Sequence, residues 1–285
     1  MDAVTEFAQH RSVLFGIAYR MLGSVMDADD VVQDAYLRWE RADHASIESP
    51  RAYLSTIVTR LSIDALREAR RRREVYVGEW LPEPLQTGPD PATSADLAES
   101  LSTAFLVLLE SLAPPERAAF LLREVFGQEY SEIAGILGKT EVNCRQMVKR
   151  AKDRLAAREH RFEPSREEQA QLLAKFLSGT ESGDYGALVA TLAEDAVLYS
   201  DHGGKAPAAQ RPIYGADKIA RFLLGVTRRF PPASPEVRFV SLNGRPGVVV
   251  YSGAESDPRC ARERDRGRTR RSRLNGRTTG SRRYT

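Results

Sequence analysis

LAPPERAAFLLREVFGQEYSEIAGILGKTEVNCRQMVKRAKDRL, residues Leu112–Leu155, carries the clearest local motif of the chain. Ser131 is placed to cap a short helix, Glu132–Leu137, with Ile133, Ala134 and Leu137 inward. Gly138 supplies a tight turn, and Thr140 caps a second helix, Glu141–Leu155, with Val142, Met147, Val148 and Ala151 inward. Two short helices joined by a glycine turn form a helix-turn-helix, whose second helix can enter a major groove. Its expected outer face is Asn143, Arg145, Gln146, Lys149 and Arg150. Amides pair bidentately with adenine and arginine with guanine, so this face suits base reading. Upstream, Ala104–Leu112 and Pro115–Phe126 read as supporting helices, separated by Ala113–Pro115.

Working outward, the N-terminal part is also helical. Thr5–Leu22 carries Leu14, Ile17, Ala18, Met21 and Leu22 on one face and stops at Gly23. Asp27 is expected to cap Ala28–Arg41, which buries Val31, Val32, Ala35 and Trp39 and opens with Asp29, Asp30 and Asp34. Ala42–Ser49 is a polar loop. Ser49 then caps a long helix, with Pro50 in its first turn, that runs to Arg73, buries Leu54, Ile57, Val58, Leu61 and Ala65, and ends in four arginines, Arg70–Arg73. Acids early and cations late suit the helix dipole, but an acidic helix beside a basic one also suits a partner and a nucleic acid.

The chain has 285 residues, enough for about two domains. Composition divides it into 1–74, a linker 75–93, a helical stretch 94–162, a mixed stretch 163–253 and a tail 254–285. Pro82, Pro84, Pro89 and Pro91, with Gly78 and Gly88, mark the linker. The tail holds eleven arginines against four acids, a net +7 in a chain of net +3, so the remainder is at −4. Such a body reads DNA through local basic patches rather than bulk charge. No apolar run reaches membrane-spanning length, and no secretion signal is recognisable, so a cytoplasmic protein is expected. Cys144 and Cys260 lie outside any metal-like spacing and read as free thiols. No metal, cofactor or catalytic residue is expected.

Over about Thr5–Phe162 the sequence resembles RNA polymerase sigma factors of the extracytoplasmic-function type. YRMLGSVMDADDVVQDAYLRW (Tyr19–Trp39) is similar to the family's segment that binds the clamp of the largest polymerase subunit. SPRAYLSTIVTRLSIDALREARRRRE (Ser49–Glu74) is similar to its minus-ten reader, and Leu112–Leu155 to its minus-thirty-five reader. The resemblance implies polymerase contacts at Asp29, Asp30, Val31, Val32, Gln33 and Asp34. It implies promoter DNA contacts at Arg60, Asp64 and Arg67, with base capture near Ala42–Ser49, and at the outer face of the second helix.

WLPEP (Trp80, Leu81, Pro82, Glu83, Pro84) and DHGGK (Asp201, His202, Gly203, Gly204, Lys205) resemble the paired signatures of members with a SnoaL-like C-terminal domain, an α+β cone. This implies a contact between the two segments and regulation in cis, with room for a small ligand or regulator. Helices are expected over Arg166–Thr180, Tyr185–Leu192 and Gly215–Phe230, the last with Ile219, Phe222, Leu223 and Val226 inward. Strands are expected at Ala196–Tyr199, Val237–Leu242 and Val248–Ser252, with a turn at Asn243–Gly247. After Gly253 the expected last strands are replaced by an arginine-rich stretch that reads as disordered and leaves the cone incomplete. The fold expected is thus mainly α: two helical sigma modules, an incomplete α+β cone and a basic tail. The alternatives are a helix-turn-helix regulator that does not bind polymerase, and a SnoaL-like enzyme using Asp201 or His202.

Overall fold

The structure, a computed structural model, describes residues 3–73, 81–87, 102–156, 165–201, 209, 211–230 and 235–251, without the side chains of 70–73. Trp80, Gly203, Gly204, Lys205, His202 and the tail, residues 254–285, lie outside the described residues.

Three helices form the N-terminal part: α1 (Ala3–Leu22), α2 (Val25–Glu40) and α3 (Pro50–Arg73). Ser24 caps α2, its hydroxyl accepting from Asp27 N, so the helix starts three residues before the expected Ala28 and Asp27 lies inside its first turn. The reason is that Gly23, at φ 68°, already ends α1 and leaves the hydroxyl of Ser24 next in line. Ser49 Oγ accepts from Ala52 N at 3.3 Å, as expected at the start of α3.

The second helical part contains α4 (Thr103–Leu109), α5 (Pro114–Phe120) continued by a π turn (Leu121–Val125), α6 (Tyr130–Leu137) and α7 (Glu141–Ala156). Glu129, not Ser131, caps α6 through a reciprocal box with Glu132. Gly138 turns at φ 62°, and Thr140 Oγ1 accepts from Asn143 N at 3.3 Å. Cys144 takes the inward position expected of Val142, which is exposed. The cap is where it was expected; packing against α5 sets the rotation of α7, so that Cys144, Met147, Val148, Ala151 and Leu155 face the core.

These two helical parts share one hydrophobic core, running from Phe7 through Trp39, Leu54 and Leu66 to Leu106, Ile133 and Leu155. α3 lies between them. It buries Ser55, Thr59, Ser62, Ile63 and Leu66 besides the expected Leu54, Ile57 and Val58, because α5 and α6 pack on the side that a lone amphipathic helix would show to water. Leu61 and Ala65 are only half-buried. Arg117 is 1% exposed and donates from Nη1 to Met21 O at 2.7 Å and to Glu110 Oε1 at 2.9 Å. Arg20, also buried, covers the Phe126 ring, and burial lowers its pKa to about 10.

The C-terminal unit has α8 (Arg166–Ser182), α9 (Tyr185–Thr191), the paired strands β2 (Val197–Leu198) and β3 (Ile213–Tyr214), α10 (Ala216–Arg229), and the hairpin β4 (Glu236–Leu242) and β5 (Arg245–Tyr251). The hairpin turn is two residues, Asn243 at φ 52° and Gly244 at φ 77°, tighter than the expected Asn243–Gly247. This asparagine-glycine pair suits the twist of a hairpin. The unit's own core is small: Leu188, Ala220 and Leu224, with Phe176 and Val189 against it. Ile219 is buried as expected, whereas Phe222, Leu223 and Val226 are half-buried. Val237, Phe239 and Val250 leave one side of the β4–β5 sheet apolar and exposed.

Part of the expected linker is structure. β1 (Gln86–Thr87) pairs antiparallel with β4, Gln86 opposite Leu242 and Thr87 opposite Ser241. Just before it, Glu83 N donates to Gly23 O at 2.7 Å, and Glu83 Oε2 accepts from Val25 N at 2.8 Å at the start of α2. Asn243, 1% exposed, accepts from Leu85 N, donates from its backbone to Leu85 O, and donates from Nδ2 to Tyr19 Oη at 2.8 Å. Tyr19 Oη in turn donates to Glu83 O at 2.7 Å. α1, the linker and the C-terminal hairpin therefore meet at one buried hydroxyl.

Two outcomes are expected. Tyr19→Phe strands Asn243 Nδ2 and Glu83 O in a dry site, which costs about 1–3 kcal/mol in denaturant unfolding; an unchanged midpoint would show that water replaces the hydroxyl. Burial raises the Cys144 thiol pKa, so in a Cys260→Ser background native protein should react with a neutral thiol reagent far more slowly than denaturant-unfolded protein.

Candidate partner-binding and nucleic-acid interface

α2 presents a narrow stripe. Met26, Asp30, Gln33 and Leu37 follow at steps of four, three and four residues, all exposed, with Asp34 beside them. Met26 is 58% and Leu37 40% exposed, so the acids lie between two apolar ends. Sequence reasoning missed Met26 and Leu37, although the same helical spacing marks them. Asp29 is drawn aside towards Arg11, at 3.5 Å. Val31 and Val32 are a correction: they are buried in the shared core and support the stripe from beneath, where a partner cannot touch them.

The expected residues of α3 are all exposed, but Arg60 is engaged by a neighbouring helix. Arg60 donates from Nε to Ile136 O at 2.9 Å and from Nη2 to Gly135 O at 3.1 Å. The guanidinium thus satisfies carbonyls at the C-terminal end of α6, where helix dipole and unpaired oxygens favour a cation. Asp64 and Arg67 are exposed and paired with each other at 3.0 Å. In the loop before α3, Asp43 caps a short 3-10 turn, His44–Ser46, and the His44 ring stacks on Trp39 with centroids 4.3 Å apart. Tyr53 tilts against the same Trp39. The loop thus has an aromatic floor.

α7 holds Asn143, Arg145, Gln146, Lys149 and Arg150 outward together. Val142, 60% exposed, joins them and can meet a thymine methyl. Arg150 and Arg154 lean back onto Glu116 of α5, at 3.4 and 2.9 Å. Arg145 is held forward by Glu141 at 3.0 Å and lies over the Tyr130 ring.

Of the paired signatures, the described part is in contact: Leu81 N donates to Asp201 Oδ2 at 3.0 Å. Pro82 is buried, Pro84 exposed, and Glu83 is spent on α2 and Gly23. Among the described residues no group of His, Cys, Asp and Glu could hold a metal ion, and no helix is long and apolar enough to cross a membrane.

Comparison with known proteins shows the family. Residues 7–72 match sigma-70 region 2, and residues 102–155 match sigma-70 region 4. The chain is 39% identical over 236 residues to the ECF RNA polymerase sigma factor SigJ of Mycobacterium tuberculosis, covering 80% of this chain and 74% of that protein. It is 32% identical over 248 residues to the probable ECF RNA polymerase sigma factor SigI of the same species, covering 85% and 82%. The crystal structure of M. tuberculosis SigJ superposes with a TM-score of 0.69 at 36% identity, over 86% of this chain and 83% of that one. A helix-turn-helix with a patterned outer face, an acidic α2 and a basic α3 thus occur together in a chain that belongs to the extracytoplasmic-function RNA polymerase sigma factors.

Proposed function

We propose that the α2 stripe of this sigma factor docks on the clamp of the largest subunit of core RNA polymerase, in the cytoplasm. In this reading the Ala42–Ser49 loop and α3 engage the minus-ten element, and α7 reads the minus-thirty-five element. The observation that carries it is the stripe Met26, Asp30, Gln33, Leu37: acids set between exposed apolar anchors form a small interface that complementary charge can place in register.

The chain acts without catalysis in this reading. Asp201, the described candidate acid, accepts a backbone hydrogen bond from Leu81, so its carboxylate clasps the linker. The unit from 163 to 253 is taken as the SnoaL-like domain, controlling output in cis. Two facts support this. First, α3 and α6 touch through Arg60, whereas the two promoter elements lie about 25 base pairs, or about 85 Å, apart at about 3.4 Å per pair. α3, of 24 residues, is about 36 Å long, so the modules must separate to read both elements at once. Second, the linker they would pay out is clasped by Asp201 and paired with β4. The C-terminal unit therefore favours the closed arrangement, and a ligand or regulator that loosens it favours the open one.

The docking assignment is tested by Asp30→Arg with Asp34→Arg. Both positions are exposed, so the helix should persist, while like charge against a basic clamp should abolish co-purification with core polymerase. Retained co-purification would remove α2 from the interface. The control assignment is tested by Asp201→Ala and Asn243→Ala. Each should change promoter output in a purified transcription system with core affinity unchanged, and the double variant should fall short of additivity because both release one segment. Wild-type output from both would leave the clasp without a regulatory role.

A further inference from the structure

Arg145 is held from two sides. Its side chain is 54% exposed, yet its Nη2 donates to Glu141 Oε2 at 3.0 Å, and its Cζ lies 4.7 Å from the centre of the Tyr130 ring. Tyr130 is the first residue of α6 and Glu141 the first of α7, so the grip spans the turn of the helix-turn-helix. The ring is itself held. Arg123, on the π turn after α5, places its Cζ 4.8 Å from the same ring centre. Arg123 is anchored by Gln128 O at 2.9 Å and Glu129 Oε1 at 3.2 Å. π turns are often kept at functional sites.

We propose that Tyr130 and Glu141 are positioning residues that set the base preference of Arg145, directing its guanidinium to a guanine edge and away from the phosphate backbone. This rests on the reading of α7 as the promoter-reading helix. A guanidinium has five N–H donors in a rigid fork. The Tyr130 ring holds the guanidinium without a hydrogen bond, and Glu141 takes a single donor. The donors that remain lie in one fixed plane, which is what a bidentate contact to guanine O6 and N7 needs. Glu141 has a second effect. A carboxylate beside the guanidinium disfavours approach to a phosphate and leaves the uncharged base edge as the better acceptor. Arg150 and Arg154 show the contrast, since their pairing with Glu116 ties them to α5. All three are exposed, but in α7 Arg145 is the arginine gripped by both a ring and a carboxylate.

The test uses the full chain bound to core polymerase and a set of promoters carrying every single base-pair change across the upstream element. Arg145→Ala should flatten the preference at one G·C pair by about five- to a hundredfold. Tyr130→Ala should weaken the preference at that same pair by about two- to fivefold, as expected for losing a cation–π contact, and Tyr130→Phe, which keeps the ring, should restore it. Glu141→Gln should lower the same preference while raising binding to the non-preferred promoters. If Tyr130→Ala or Glu141→Gln shifts every promoter by one common factor, the residue is structural and the proposal falls. If Arg145→Ala leaves every preference intact, the reading of α7 falls with it. If Arg145→Ala flattens the preference but Tyr130→Ala and Glu141→Gln leave it intact, only the positioning role is overturned.

Discussion

The hydroxyl of Tyr19 is the point on which the arrangement of the chain depends. It accepts from Asn243 and donates to Glu83 O, so one buried group serves α1, the linker and the C-terminal hairpin. A buried hydroxyl or amide without a partner is expensive, so the three segments are bound to arrive together. Burial raises the Tyr19 pKa, and the bond from Asn243 opposes that rise. The phenol therefore stays protonated at neutral pH, as its donation to Glu83 requires. The left-handed backbone of Asn243 belongs to the same solution: an asparagine-glycine turn both closes the hairpin and offers its amide to the linker.

Helix ends do much of the remaining joining. The start of α2 is met by the Glu83 carboxylate, the end of α1 by Arg117, and the end of α6 by Arg60. In each case a charged side chain from a distant segment satisfies backbone groups that the helix cannot pair itself. Such contacts are directional and exchangeable. Arg60 is exposed at its carbonyl partners, whereas Arg117 is buried in the core. The contact between the helical parts thus combines a buried joint with an exposed one, in keeping with the proposal that the two modules part.

The C-terminal unit differs in kind. Its core is small, one side of its hairpin sheet is apolar and open, and its central strand borrows β1 from the linker as a neighbour. Stability of this unit is accordingly tied to the linker, which couples any change in the unit to the segment that sets the spacing of the helical modules.

Helical periodicity and glycine stops made the helices legible from the sequence, together with the helix-turn-helix and its polar face, because these depend on neighbours within four residues; two of the expected caps, Asp27 and Ser131, gave way to Ser24 and Glu129. The resemblance in Tyr19–Trp39 and Ser49–Glu74 carried the family. Local pattern could not tell that Val142 faces outward and Cys144 inward, because that depends on how α7 rotates against α5. Nor could it show that α3 is buried on two sides, that Arg60 is engaged by α6, or that Gln86–Thr87 is a strand. A run of two residues has no periodicity, and its pairing partner lies more than 150 positions away. Local pattern in the chain was enough to mark which segments are helices and what chemistry they display. Which of those side chains are engaged and which exposed was set by packing, because hydrogen bonds and burial between distant segments leave no local trace.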